Sequence, residues 1–437
     1  MMPDGGAGAN DPKGGGGPAR ARGPGQGADA GAGPLAGVRV LDLTSLLPGP
    51  FACQVLADLG ADVVKVESRL GDVMRQVPPL VRGRSAFYLS LNRNKRSLGL
   101  NLRKPRARQL FMDLAARSDV VVEGFRPGRA DRMGVGPKAV QAGNPRLVYC
   151  SLSGYGQSGP DRNRPGHDIT YLARSGLLGL WRGSDGRPVM PPVQVADMAA
   201  GLTAALAVCA ALFDRSRTGG GRYIDVAILD SIAAWLGFHL EARRAGAAES
   251  AGEAMPLSGR YPFYNLYETA DGAFVALGAL EPVLWRDFCQ AVGRHDLVGR
   301  QFARGEERQR LFAEMGDLFR SRPAAAWRRL FKEKGLAAEV VADIDAAMGD
   351  PQLVARGIVK TMDHPVAGTV AVADTPIRMS GSSPNPLRSP PDLGADTRAV
   401  LTEVLDLSAA EIDNLVAKRV VFEATEPGRR VAPRELP

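Results

Sequence analysis

The chain has 437 residues, 45% of them hydrophobic, enough for two or three domains with sizeable cores, which excludes a disulfide-stapled mini-protein. Its formal charge of +8 comes without any Lys/Arg run interleaved with aromatics, so a nucleic-acid surface is not supported, whereas dispersed arginines suit phosphate-bearing small molecules. Cys53, Cys150, Cys209 and Cys289 lie far apart with no CxxC spacing, which argues against a zinc site or a disulfide framework and fits a reducing cytoplasm.

Residues 1–33 carry about a dozen of the 52 glycines and almost no large apolar side chains, and read as a disordered tail. The acidic and basic residues there cancel, and no apolar core of the kind a signal peptide needs is present. From Val38 short β-branched runs alternate with helical patterns: VRVLDLTS, PFACQVLADLG, DVVKVE, then KPRARQLFMDLAARS, DVVVEGF, GRADRMGVGPKAVQAG and RLVYCSLSG. Continuous apolar strands separated by helices predict a doubly wound α/β domain with a parallel sheet covered on both faces, over residues 34–225.

The Ala-rich stretch from Met198 to Phe213 is short for a membrane span and predicts a buried helix. Residues 226–258 read as a linker helix and loop, and 259–345 as a smaller α/β domain whose hairpin turns at Ala270-Asp271-Gly272. Residues 346–425 contain a strand-rich stretch and two helical segments and are expected to return to the first domain, leaving 426–437 as a flexible tail.

The single GxGxxG match, Gly154 to Gly159, follows a predicted strand, but Pro160 and the DRNRPG run block the helix that would hold a pyrophosphate, so nicotinamide binding is rejected. No P-loop, GxSxG, HExxH or metal-spaced His/Cys cluster occurs. His167, in Gly166-His167-Asp168-Ile169-Thr170-Tyr171, follows a loop crowded with Gly, Pro and Arg, where an imidazole can be exposed at a cleft. The competing reading, of equal weight, is a helix start capped by Asp168. Asp197 opens the Ala-rich helix; locally it reads as an N-cap whose ionised form the helix dipole stabilises, although its apolar flanks also suit a functional carboxylate. Glu281 precedes Pro282 at the start of another helix, where an N-terminal charge is the commoner explanation.

In order along residues 35–425, the segments PGPFA…LADLGADVVKVE, NKRSL, DVVVEGFRPG, NPRLVY…SLSGYGQSGP, GHDITY, the Asp197 segment, ADGAFVALGALEP and DPQLVARGIV together resemble the class III coenzyme A transferases, and within them the α-methylacyl-CoA racemases. The resemblance implies a large Rossmann-like, CoA-binding domain and a smaller α/β domain, in two chains threaded as an interlocked homodimer, with no membrane span and no cofactor beyond the coenzyme A of the substrate. It implies that His167 and Asp197 are the acid/base pair that epimerises the α-carbon of a 2-methyl-branched acyl-CoA through an enolate, with Glu281 assisting His167 from the neighbouring chain. Coenzyme A is then expected at Arg69, Leu100, Asn101, Leu102, Arg103 and Arg126 and at the loop holding Gly166, Asp168 and Tyr171. The alternative is a transferase in which Asp197 carries the acyl group as a mixed anhydride. The segment from Ser85 to Tyr88, leading into Asn94-Lys95-Arg96-Ser97, is longer than in compact racemases and resembles the transferases.

Overall fold

The computed structural model describes residues 33–183, 185–246, 255–381 and 386–424. Most of the anticipated amino-terminal tail, the central part of the 244–258 loop and the anticipated carboxy-terminal tail lie outside the described residues. A seven-stranded sheet is built from β1 (Arg39–Leu43), β2 (Asp62–Glu67), β3 (Lys95–Leu100), β4 (Val120–Glu123), β5 (Val148–Ser153), β6 (Tyr223–Ala227) and a last short strand, Val421–Phe422. The first six are parallel and run across the sheet in the order β3-β2-β1-β4-β5-β6. Val421–Phe422 pairs antiparallel with Leu100 and Gly99 and closes the β3 edge. Strand order therefore reverses between β1 and β4, which in a doubly wound sheet opens a crevice at the carboxyl ends of those strands.

Two-residue alternation divides each strand between two cores. Val40, Val63, Val120 and Val148 face one layer, where α1 (Pro48–Asp58) and the Ala-rich helix Val195–Thr218 pack. Leu41, Val64, Val121 and Tyr149 face the other, filled by Leu110, Phe111 and Leu114 of α2 (Pro105–Ala116) and by Val400, Leu401 and Ile412 near the carboxy terminus. The Ala-rich helix needs small residues because it lies close against α1: a Cβ on Gly201 would sit 2.7 Å from the Pro48 carbonyl oxygen. This helix has 24 residues and is long and apolar enough to cross a membrane, yet Ala199, Ala200, Ala204, Ala205 and Val208 seat one face in the core. Its other face leaves Leu206 71% and Phe213 67% exposed.

β3 departs from the apolar pattern of its neighbours because it carries Lys95, Arg96 and Ser97 into the sheet. Lys95 is fully buried, and its Nζ donates to Asp42 Oδ2 at 3.1 Å, Asn92 Oδ1 at 2.9 Å and the Pro50 carbonyl at 2.8 Å. Arg96 pairs with Asp62 at 2.6 Å, and Ser97 Oγ donates to Glu67 at 2.6 Å. Buried charge is tolerated here because each ion meets a partner on an adjacent element.

A separate three-stranded antiparallel sheet comprises β7 (Tyr264–Glu268), β8 (Phe274–Gly278) and Ala338–Val340, with β8 in the middle. Trp285, Phe288, Phe319 and Trp327 fill its core, and both indole N–H groups are satisfied by carbonyls, Trp285 by Leu297 at 3.0 Å and Trp327 by Phe319 at 2.9 Å. Val359–His364 and Gly368–Ala373 form a further hairpin.

Candidate active site

The loop after β1, at the sheet's switch point, is shaped by buried ions. Asp42 Oδ1 accepts the Thr44 N–H at 2.9 Å and its hydroxyl at 2.5 Å, and Lys65 Nζ donates to the Thr44 carbonyl at 2.9 Å while pairing with Asp72 at 3.0 Å. Asp72 in turn accepts the N–H of Leu46 at 3.1 Å, a residue held at φ +68°. A left-handed conformation is costly for leucine and persists only when its surroundings over-determine it. Burial alone would raise the Asp42 carboxyl, but Lys65 and Lys95, together with the two Thr44 hydrogen bonds, outweigh it and hold Asp42 below the usual carboxylate range.

The loop after β5 runs to α3 (Asp168–Ser175), and His167 is that helix's N-cap. The His167 N–H donates to Thr170 Oγ1 at 3.0 Å and its carbonyl accepts the Thr170 N–H at 2.8 Å, which leaves the imidazole exposed. Asp168 is therefore not the cap of its own helix. It is buried, and its Oδ1 accepts the backbone N–H of Asp197 at 3.0 Å; the N–H of Ala196 also donates to it. Asp168 thus satisfies donors of a different helix, α4 (Val195–Thr218), whose own N-cap position is Gln194.

Asp197 stands in the first turn of α4, half-buried, and is not an N-cap. Its carboxyl is pushed up to about 7, first by burial and then by the Asp168 charge beside it. Stabilisation of the ionised form by the helix dipole, expected from the local sequence, is thus outweighed by desolvation and a like charge. Tyr171, on α3, feels the same environment and rises to about 12, mainly through burial. Its ring packs edge-to-face with Tyr155 at 5.2 Å and lies so close to the preceding loop that a Cβ on Gly154 would meet its hydroxyl at 2.2 Å and one on Gly166 its ring at 2.7 Å. The glycine before His167 is there for close approach.

Glu281 is the exposed N-cap of helix Pro282–Ala291, after β8. Among the described residues no hydrogen bond or ion pair joins it to the His167 turn. Arg69, Arg103 and Arg126 are exposed, and Leu102 is half-buried. Leu100 is a core residue on β3, 1% exposed, and Asn101 ties the end of that strand to the carbonyl of Val420 at 2.9 Å.

Two grooves went unnoticed in the sequence. One, of about 520 Å³, is lined by Arg132, Lys138, Arg162, Asn163, Gln157 and Tyr223, beside the loop that follows β4. Basic residues following Arg126 at helical spacing were the available signal, but their convergence with Arg162 depends on the β4–β5 neighbourhood. The other, of about 550 Å³, is of mixed character, with Leu177, Trp181, Val189, Met190 and Leu257 on its walls beside Arg182, His239 and Ser258. It adjoins the segment that enters α4.

The family model for CoA-transferase family III matches residues 35–397. Succinyl-CoA:glutarate CoA-transferase of Mus musculus is 36% identical over 403 residues, covering 89% of this chain and 90% of that protein. Alpha-methylacyl-CoA racemase of Homo sapiens is 33% identical over 392 residues, covering 89% and 97%. Among solved structures, a CAIB/BAIF family protein from Brucella suis superposes with a TM-score of 0.74 at 29% identity, covering 85% of this chain and all of that one. A half-buried carboxyl group at the head of an apolar helix, on a sheet of this strand order, thus sits in a chain that belongs to CoA-transferase family III and is an enzyme, an acyl-CoA racemase or a CoA-transferase.

Proposed function

We propose that the protein epimerises the α-carbon of 2-methyl-branched acyl-CoA thioesters, with His167 and Asp197 as the two proton-transfer groups. The observation that carries this is the 3.0 Å hydrogen bond from the Asp197 N–H to Asp168, the residue next to His167. That connection keeps the α-carbons of His167 and Asp197 within about 12 Å by bond lengths alone, a separation that two proton-transfer groups flanking one substrate carbon require. Neutral His167 removes the α-proton from one face, leaving an enolate, and protonated Asp197 delivers a proton to the other; the reverse direction exchanges their roles. An Asp197 carboxyl poised near 7 suits this, because a proton-transfer group works best when its pKa is close to the operating pH. Glu281 of the neighbouring chain orients the His167 ring.

The groove containing Arg132, Lys138 and Arg162, with Arg126 and Arg103, supplies cations for the phosphates of coenzyme A. The groove leading to α4 receives the acyl chain. The chain acts as a homodimer: Leu206, Phe213 and Phe238, the last 80% exposed, are large apolar side chains left open by the single chain, of the kind a second copy covers.

The transferase reading is favoured by the similarity to the mouse succinyl-CoA:glutarate enzyme and by the segment from Ser85 to Tyr88. There ionised Asp197 attacks the thioester carbonyl, releasing coenzyme A as thiolate and leaving an aspartyl mixed anhydride; a second carboxylate attacks that acyl carbonyl and displaces Asp197, and the thiolate then attacks the second acid's own carbonyl in the new anhydride, forming the new thioester and releasing the first acid as its carboxylate. His167→Ala separates the two. Incubating both proteins with a 2-methylacyl-CoA in deuterated water, and with succinyl-CoA plus glutarate, should show α-deuteration by the wild type reduced about 10²- to 10⁴-fold in the variant. Normal α-deuteration by the variant, or acyl transfer without α-deuteration by the wild type, would overturn the racemase reading.

A further inference from the structure

We propose that Asp168 is a positioning residue: by accepting the N–H groups of both Ala196 and Asp197 it locks the first turn of α4 and confronts the Asp197 carboxyl with a fixed negative charge. The inference rests on Asp197 being the reacting group. Asp168 is placed by α3 and Asp197 by α4, so the contact joins two helices that leave the sheet at different points. The first N–H groups of a helix have no partner within it, and the two that donate to Asp168 favour its anion, against the burial that pushes its carboxyl up. Among the described residues no donor hydrogen-bonds to the Asp197 carboxylate, so of the two neighbouring carboxyl groups it is Asp197 that takes the proton.

The other ionisable groups on elements packed against α4 are committed elsewhere or lack a hydrogen bond to Asp197. On α1, Asp58 is paired with Arg93 at 2.6 Å. On α3, Arg174 pairs with Asp161, and Tyr171 stays protonated to about 12. On β6, Asp225 accepts the Gln157 N–H at 3.0 Å, and Asp230 lies exposed on the helix Ile228–Ala233. His167, also exposed, is the one cationisable group adjoining Asp168 in sequence.

Asp168 therefore does two things for the chemistry. It fixes where the Asp197 backbone starts, and its charge adds to burial in raising the Asp197 carboxyl to about 7, so that part of it keeps a proton near neutral pH. Removing the charge while keeping the shape, in Asp168→Asn, should lower the pH at which Asp197 ionises by about one unit. The longer but still charged Asp168→Glu should leave it near the wild-type value. Infrared difference titration reads this without substrate: the C=O stretch of the protonated carboxyl that is present in the wild type and absent in Asp197→Asn isolates Asp197, and the same subtraction is made in each Asp168 background. Amide exchange of residues 196 and 197, followed by mass spectrometry, reads the positioning and should accelerate at least tenfold in Asp168→Ala. An unchanged midpoint in Asp168→Asn, an equal shift in Asp168→Glu, or unaltered amide exchange in Asp168→Ala would each overturn the proposal. Turnover of acyl-CoA by Asp197→Asn, measured alongside, tests the underlying reading separately: its persistence would remove Asp197 from the reaction while leaving the titration result standing.

Discussion

Replacing Asp197 by asparagine should make the protein more stable above neutral pH while abolishing turnover. In the folded chain its carboxyl loses its proton at about 7, whereas in the unfolded chain it does so near 3.8. Between those values the folded state retains a proton that the unfolded state has released, so stability falls as pH rises through this window, and the deficit is complete above it. At 1.36 kcal/mol per unit the ceiling is about 4 kcal/mol, and the partial exposure of the group brings the expected value to about 2–3 kcal/mol. Asparagine occupies the same space without a charge and removes that deficit. Urea unfolding of the large-sheet unit at pH 8 and at pH 4.5 provides the assay. The variant should exceed the wild type by about 2–3 kcal/mol at the higher pH and by under about 1 kcal/mol at the lower. A stabilisation equal at both pH values, or a loss of stability at pH 8, would refute the assignment of a raised carboxyl and with it the account of why Asp197 is a proton donor.

Two further outcomes test other parts of the structure. Lys65→Met strips Asp72 of its 3.0 Å partner and the Thr44 carbonyl of its donor, leaving buried charge uncompensated, and should cost about 3–5 kcal/mol in the same unfolding assay; a loss below about 1 kcal/mol would mean that water reaches the cluster. Phe238→Asp combined with Leu206→Asp should convert the proposed dimer to monomer in sedimentation velocity, since each places charge on a surface left open by the single chain; an unchanged sedimentation coefficient would locate the subunit contact elsewhere.

The parallel strands β1, β2, β4 and β5 and the two layers covering them were legible because each strand is a short run dominated by β-branched and other apolar residues and the helices between them show a recurring apolar face. β3 was not read as a strand. Its Lys95, Arg96 and Ser97 look like a solvated loop until Asp42, Asp62 and Glu67 are seen beside them, on strands 30 to 53 residues earlier in the chain. The Ala-rich helix was expected to be buried, and Ala196, Ala199, Ala200, Ala204, Ala205 and Ala211 are, although Ala210 is exposed; it extends further than its apolar core suggested, from Val195 to Thr218, because Gln194 and Gly219 rather than the hydropathy set its ends. Leu100, expected at a ligand, serves the core.

At the candidate site the residue types were visible as soon as the motifs were lined up, His167 by its scarce imidazole and Asp197 by its apolar flanks. Their electrical state was not. From the local sequence Asp168 could cap its own helix and Asp197 could be an ionised N-cap; in the fold His167 takes the cap, Asp168 turns to the start of α4, and Asp197 is left desolvated beside a like charge. Periodicity and turn chemistry act over a few residues, so a linear string suffices to read them. Desolvation and charge pairing depend on which distant segments come within a few ångströms, and only the packed sheet and its helices bring residues 168 and 197 together.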